Sequence, residues 1–296
     1  MTLAGAIDAL DRAGLLAPGE TPRPADSVNE ARVRLAGAPD AVRTILAGLG
    51  FAEVDGEAGS SRTYATYDPD ADRWLRLRLE PTQATDHAGG GDRAATGRGP
   101  GLMVALLGPD GAGKSSLTAS IARSFGLPVR KFYAGLYPAD RRRFRQPGLG
   151  TIALLLRLWR LAIGATWHRR QGRLVLFDRY AYDARLPLPP SAGRRTRLRR
   201  ALLARALPTP DLVIVLDAPA EVLLGRRAEH PIEVVEAQRR RYAELARSVP
   251  DGVIVDASAD ADSVRRSVTA LIWRRYVARQ ARRAARARRR DASRRP

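Results

Sequence analysis

Apolar positions along the chain fall into two textures. From residue 102 onward, five short runs are apolar almost throughout: "LMVALLG" (102–108), "VRKFYAG" (129–135), "RLVLFDR" (173–179), "DLVIVLDA" (211–218) and "GVIVDAS" (252–258). Such runs predict strands buried on both faces. Helical spacing occupies the intervals at 115–125, 151–170, 195–206, 219–229, 232–248 and 260–280. Strand and helix in alternation predict a parallel sheet with helices on both sides, an α/β architecture. The first 81 residues read differently. "APDAVRTILAGLGFAEV" predicts a helix ending at Gly48 or Gly50, then a short strand. "RTYATY" and "WLRLRLE" predict two strands joined by "DPDADR". In the second, Leu75, Leu77 and Leu79 share one face, with Arg76, Arg78 and Glu80 on the other.

Between the textures lies "TQATDHAGGGDRAATGRGPG" (82–101), whose Gly, Ala and Thr content reads as a flexible linker. The expected organisation is a small α+β module at 1–81, a linker at 82–101, a main domain at 102–272 and an Arg-rich tail at 273–296. "LPLPPSAGRRTR" (186–197) reads as a surface loop, because its prolines block both helix and strand.

Composition narrows the chemistry. The 296 residues include no cysteine, which excludes disulfides and thiolate metal sites and fits a reducing cytoplasm. "MTLAGAIDALDRAGLL" lacks the basic start of a secretion signal, and the longest apolar stretch is interrupted by Arg157 and Arg160, so no membrane span is expected. Net charge is +20, half of it in the last 23 residues. That tail reads either as a solvated helix extension or as a surface for nucleic acid or another anionic polymer. Of 51 basic residues only Lys114 and Lys131 are lysine. Lysine kept at 114 suggests a place for a compact point charge rather than a guanidinium fork.

That place is a glycine loop. Gly108, Gly113, Lys114 and Ser115 fit G-x-x-x-x-G-K-[ST], preceded by a strand and followed by a helix. Glycines let backbone N–H groups curl round phosphate oxygens, and the helix N-terminus adds its dipole. The nucleotide-binding residues expected are Gly108, Pro109, Asp110, Gly111, Ala112, Gly113, Lys114, Ser115 and Ser116. Lys114 would reach the β- and γ-phosphates, and Ser115 would offer its hydroxyl to Mg²⁺. In "RLVLFDRY", Asp178 ends a strand, where such sheets place ligands; it can hold Mg²⁺ or accept a proton, with Arg179 beside it for a phosphate. Asp68, Asp70 and Asp72 have the spacing of a calcium loop. Arg73 and Leu79 stand where Gly and Glu are required, so a polar hairpin turn is expected. His87, His168 and His230 show no metal-ligand spacing.

"GPDGAGKSS", "LVLFDRYAYD", "PDLVIVLDAPAEVLLGRR", "EAQRRRYAELA" and "VIVDAS" follow the order seen in thymidylate kinases. Over about residues 102–272 the chain resembles the thymidylate-kinase-like P-loop kinases. The resemblance implies a P-loop NTPase fold, a three-layer parallel sheet, and a Mg-ATP-dependent phosphotransferase. Its implied acceptor is a (deoxy)nucleoside monophosphate such as dTMP. It implies that Asp110 faces the acceptor, that Asp178 and Arg179 lie near the transferred phosphate, and that Tyr180 borders the acceptor. It places a mobile lid at 225–231, with Arg226 or Arg227 closing over ATP, and an adenine cup at 256–258. Dimerisation is common in that family.

On the acceptor side "RQPGLGT" supplies Arg145, but Gln146 replaces a glutamate and one residue is inserted relative to the family's R-E-P-G-G-T. The span from there to "DRY" is also short, so dTMP specificity is open. Arg141, Arg142, Arg143 and Arg145 form either an anion site or a solvated face. Phe132, Tyr133 and Tyr137 either stack a base or fill core. The first 80 residues are similar to nucleotidyltransferase-like domains, without the paired carboxylates after "GSSRT" that activity requires. Alternatives to a nucleotide acceptor are another small molecule, or an ATP-binding switch or scaffold protein whose tail engages anionic polymer.

Overall fold

The computed structural model describes residues 2–17, 23–24, 29–36, 39–56, 61–81, 100–135, 149–186, 191–228 and 230–293. Most of the expected linker, Tyr137, His87 and the arginines at 141–145 lie outside that set. Two compact units result. One joins Met1–Gly99 to Thr269–Pro296, and the other is Pro100–Val268.

The first unit holds helices α1 (Leu3–Arg12) and α2 (Pro39–Gly48) and strands β1 (Arg23–Pro24), β2 (Glu30–Leu35), β3 (Ala52–Gly56), β4 (Arg62–Asp68) and β5 (Arg73–Pro81). The sheet order is β1-β2-β5-β4-β3. Strands β2 and β5 run parallel and the other neighbours antiparallel. Leu75, Leu77 and Leu79 are buried, as their alternation requires. Ile7, Leu10, Val42 and Leu46 come down from the two helices onto Val33, Tyr64, Leu77 and Leu79. The β4–β5 connection is a tight turn. Tyr67 donates to Asp72 Oδ1 at 2.6 Å, and Asp68 Oδ1 accepts from the Ala71 N–H at 3.3 Å, so two of the three aspartates serve the turn itself. Helix α1 and strands β1 and β2 were not expected.

The second unit is the alternating half. Strands β6 (Met103–Leu107), β7 (Val129–Tyr133), β8 (Leu174–Asp178), β9 (Leu212–Asp217) and β10 (Gly252–Asp256) form one sheet, ordered β10-β9-β6-β8-β7. Every pairing in it is parallel. Between them run α3 (Lys114–Ser124), α4 (Leu149–Arg170), a 3₁₀ turn at Ala181–Arg185, α5 (Arg194–Ala204), α6 (Ala220–Arg226) and α7 (Ile232–Ser248), with α8 (Ala261–Ala292) last. The central strands β6, β8 and β9 are buried along nearly their whole length. Strands β7 and β10 are not, contrary to expectation. Each is an edge strand with one neighbour, which leaves room for Arg130 and Lys131 at the surface. Parallel order brings the carboxyl ends of β6, β8 and β9 side by side, and the strand order reverses at β6, with β7 and β8 to one side of it and β9 and β10 to the other. A ligand crevice belongs at that reversal. Among the described residues no helix is long and apolar enough to cross a membrane.

The expected boundary at 272/273 moves to 268/269. Helix α8 runs on to Ala292, and its residues from Thr269 belong to the first unit. Trp273 and Tyr276, three residues apart, explain the shift. Trp273 Nε1 donates to the Gly50 carbonyl at 3.2 Å and its ring meets Trp74 edge-on at 4.9 Å. Tyr276 is fully buried and donates to the Glu53 carbonyl at 3.3 Å. Replacing Trp273 or Tyr276 by Ala is therefore expected to cost the first unit about 3–5 kcal/mol in urea unfolding. Replacing the exposed Arg282 and Arg283 by Gln changes it by less than about 0.5 kcal/mol. Equal effects would contradict this packing.

Candidate active site

The loop between β6 and α3 is shaped by what surrounds it. A Cβ on Gly108 would stand 2.4 Å from the Leu216 carbonyl oxygen, and one on Gly111 2.7 Å from that of Leu223. Both glycines have positive φ, 139° and 85°. Strand β9 and helix α6 thus press on the loop from behind, and no larger residue fits either position. Gly113 is the N-cap of α3 and Lys114 its first residue. Ala112 is buried, while Ser115 and Ser116 face solvent.

Lys114 is only 7% exposed. Its ammonium donates to the carbonyls of Pro109 at 2.6 Å and Gly108 at 2.9 Å, and Asp110 Oδ1 lies 4.0 Å away. Burial, and next the positive charge of Arg179, lower its pKa from 10.5 to about 8, against the opposing pull of Asp110, Asp178 and Asp183. Ser115 donates to Asp178 Oδ2 at 2.5 Å, which joins the loop to the end of β8. Arg179, the next residue, has a left-handed φ of 65°, uncommon for a side chain of this size. It ion-pairs closely with Asp110, and its other terminal nitrogen lies 3.9 Å from Asp183. Asp183 accepts a hydrogen bond from Tyr242 at 3.1 Å, and burial raises its pKa against the opposing charge of Arg179. A cavity beside this group is lined by Gly108, Asp110, Arg179, Leu186, Gln238, Arg241 and Tyr242.

The structure therefore gathers Gly108, Pro109, Asp110, Lys114, Ser115, Asp178 and Arg179 into one place. It puts Tyr180 elsewhere. That ring is fully buried, stands edge-on to Phe177 at 5.0 Å and donates its hydroxyl to the Pro208 carbonyl, so it serves the core and not an acceptor. Phe132 also packs in the core, 5.6 Å from Phe177. Tyr133 is 44% exposed, with the Arg157 guanidinium 6.0 Å from its ring. Arg226 donates to the carbonyls of Ala257 and Ser258 at 2.8 and 3.5 Å, tying the expected lid to the expected adenine cup. Arg227 is exposed at the end of α6. Arg145 lies outside the described residues. Sequence reasoning missed Asp183, Gln238, Arg241 and Tyr242. It also missed the two-pronged pairing of Arg239 with Asp217 at the end of β9, at 2.9 and 3.0 Å.

The arrangement suits a magnesium-bound triphosphate. The loop offers a glycine cradle, a buried cation and a helix N-terminus. The hydroxyl–carboxylate pair of Ser115 and Asp178 provides hard oxygen ligands, and a magnesium site of this kind needs only one or two protein ligands besides phosphate. Among the described residues no group of three or more acidic or histidine side chains competes for a metal.

A glycine cradle at the carboxyl end of a parallel sheet, with an adjoining Arg-lined cavity, defines a P-loop phosphotransferase. The chain is 31% identical to a thymidylate kinase of Xanthomonas campestris pv. campestris over 197 residues, 58% of this chain and 83% of the relative. It is 30% identical to one of Xylella fastidiosa over 196 residues, 87% of that relative. Solved structures that are similar include a thymidylate kinase of Candida albicans, with a TM-score of 0.44, 17% identity and coverage of 58% of this chain and 91% of that one. Another is a deoxyadenosine kinase of M. mycoides, with a TM-score of 0.42, 15% identity and coverage of 56% and 96%. No protein-family model matches the chain. The chain belongs to the thymidylate kinase family, and it is a kinase.

Lys114 gives a pH signature. Between pH 8 and 10.5 the unfolded chain keeps a proton that the folded chain has released, so this residue's contribution to stability improves as pH rises through that window. Below pH 8 the penalty is present in full, up to about 3 kcal/mol. Lys114→Met is thus expected to raise the urea midpoint of the ligand-free protein at pH 7, with the gain fading by pH 10.5. A pH-independent gain, or a loss, would contradict the buried charge.

Proposed function

We propose that the chain transfers the γ-phosphoryl group of Mg-ATP to a (deoxy)nucleoside monophosphate, dTMP foremost. The observation that carries this reading is the single cluster in which Lys114, Ser115 and Asp178 adjoin, through Asp110 and Arg179, a cavity that those two residues help to line. The triphosphate lies in the glycine loop, where Lys114 exchanges two carbonyl partners for phosphate oxygens. Ser115 and Asp178 would hold Mg²⁺, which would supply positive charge to offset that of the phosphates. An acceptor phosphate oxygen attacks the γ-phosphorus, the bond to the β–γ bridging oxygen breaks, and ADP leaves. Arg179 meets the acceptor phosphate and Asp110 aims that guanidinium. Arg226 and Arg227 close over the donor. Positioning and charge stabilisation supply most of the acceleration in such chemistry.

A second reading, a hydroxyl-bearing small molecule as acceptor, is favoured by one feature. Asp110 and Asp183 both flank Arg179, and their negative charges offset its pull on a phosphate. Incubation with [γ-³²P]ATP and a panel of nucleoside monophosphates, nucleosides and sugar phosphates separates the two. The expected result is label in dTMP or a related monophosphate. Lys114→Ala and Asp178→Asn should each lose on the order of 10³-fold in kcat/KM. Full transfer by Lys114→Ala would overturn the assignment, and label only in unphosphorylated acceptors would favour the second reading.

A further inference from the structure

Along the far end of α8, Arg282, Arg283, Arg286, Arg289 and Arg290 are exposed, and among the described residues none of their side chains has an ion-pair partner. At ~100° per residue, their steps of 1, 3, 3 and 1 set all five on one arc of roughly 120°. Ala281, Ala284, Ala285 and Ala287 fall outside that arc.

The stripe is not a by-product of arginine-rich composition. Residues 1–99 hold 11 arginines against 15 acidic residues, whereas residues 274–296 hold 11 against one. Nor does it stabilise the helix. Arg282 and Arg286, and then Arg286 and Arg290, are like charges one turn apart, and each such pair is unfavourable by about 0.2–0.5 kcal/mol. A polyanion laid along the stripe removes that repulsion.

We propose that the stripe binds the phosphate backbone of a nucleic acid duplex. Its five charges span roughly 12 Å of helix, one every ~2.4 Å. A duplex presents one negative charge per ~1.7 Å of axis, and either strand alone one per ~3.4 Å. Of the two, only the duplex is dense enough to answer every arginine. No aromatic residue follows Tyr276, so an unpaired base finds nothing to stack on. A lipid surface fits less well, because an interfacial helix carries Trp, Phe or Leu opposite its charges and here alanines stand there. A protein groove fits no better, since it grips apolar anchors three and four residues apart. Contacts to the backbone position a protein on the duplex without reading sequence.

Fluorescence anisotropy tests the proposal, with a labelled mixed-sequence DNA duplex titrated with the full chain at about 50 to 200 mM salt. Five contacts predict a slope of about −4.5 in log affinity against log salt, and roughly 500-fold weaker binding at the upper salt than at the lower. Arg282→Gln, Arg283→Gln and Arg286→Gln combined should reduce that slope by about 3 and weaken binding at least ~10-fold. Arg194→Gln, Arg195→Gln and Arg199→Gln combined remove the same charge from α5, where all three are exposed, and should leave the slope unchanged. Parallel titrations use duplex RNA, single-stranded DNA and anionic vesicles. Binding to both duplexes assigns the stripe to the backbone they share, and binding to one of them names the source. No binding at the lower salt, equal losses in the two triple variants, a preference for the single strand, or capture by vesicles alone overturns the proposal.

Discussion

A buried ammonium whose nearest carboxylate stands 4.0 Å away governs the site. Lys114 is held inside the loop by two backbone carbonyls, with a carboxylate only at 4.0 Å. Carbonyl dipoles stabilise a cation less than water or phosphate does, so the ligand-free loop stores unfavourable charge that a triphosphate relieves. Much else follows from keeping that charge in place. Gly108 and Gly111 must be glycine because β9 and α6 press on the loop, and that pressure stops it from opening to solvent. The hydroxyl of Ser115, one residue on, reaches across to Asp178 and fixes the loop to the neighbouring strand.

The second half of the site is organised by Arg179. Its left-handed backbone places the guanidinium between Asp110, from the loop, and Asp183, from the turn after β8. Tyr242 holds Asp183 from α7, the helix that also brings Gln238 and Arg241 to the cavity. The glycine loop and the Arg179 cluster therefore share a residue, since Asp110 touches both Lys114 and Arg179.

Much of this was legible in the sequence. Short apolar runs bounded by turn residues located all five strands of the parallel sheet, because burial on two faces leaves little compositional choice. The two edge strands were misjudged as buried, since a run such as "VRKFYAG" looks central until the strand order is known. The glycine loop was legible because its chemistry is local in sequence: strand, loop, lysine and helix start fall within a few residues. Asp183 and Tyr242 were not. They lie 59 residues apart and acquire meaning only through a 3.1 Å contact. Tyr180 was misplaced for a related reason. Its neighbours Asp178 and Arg179 face the crevice, and the next side chain turns inward to the Pro208 carbonyl. In the first unit, Ala31, Val33 and Leu35 alternate with arginine and Ile7 and Leu10 lie on one helix face, so β2 and α1 were readable but went unread. The role of Trp273 and Tyr276 was hidden by the arginines around them.

Calorimetric titration of Mg-ATP into the chain near pH 8, in two buffers of different ionisation enthalpy, tests the central claim most directly. Phosphate oxygens around a lysine that is about half protonated there should raise its pKa, so binding should take up about half a proton per site. That uptake should vanish in Lys114→Met. Absence of binding, or binding with the same proton balance in both proteins, would contradict the account.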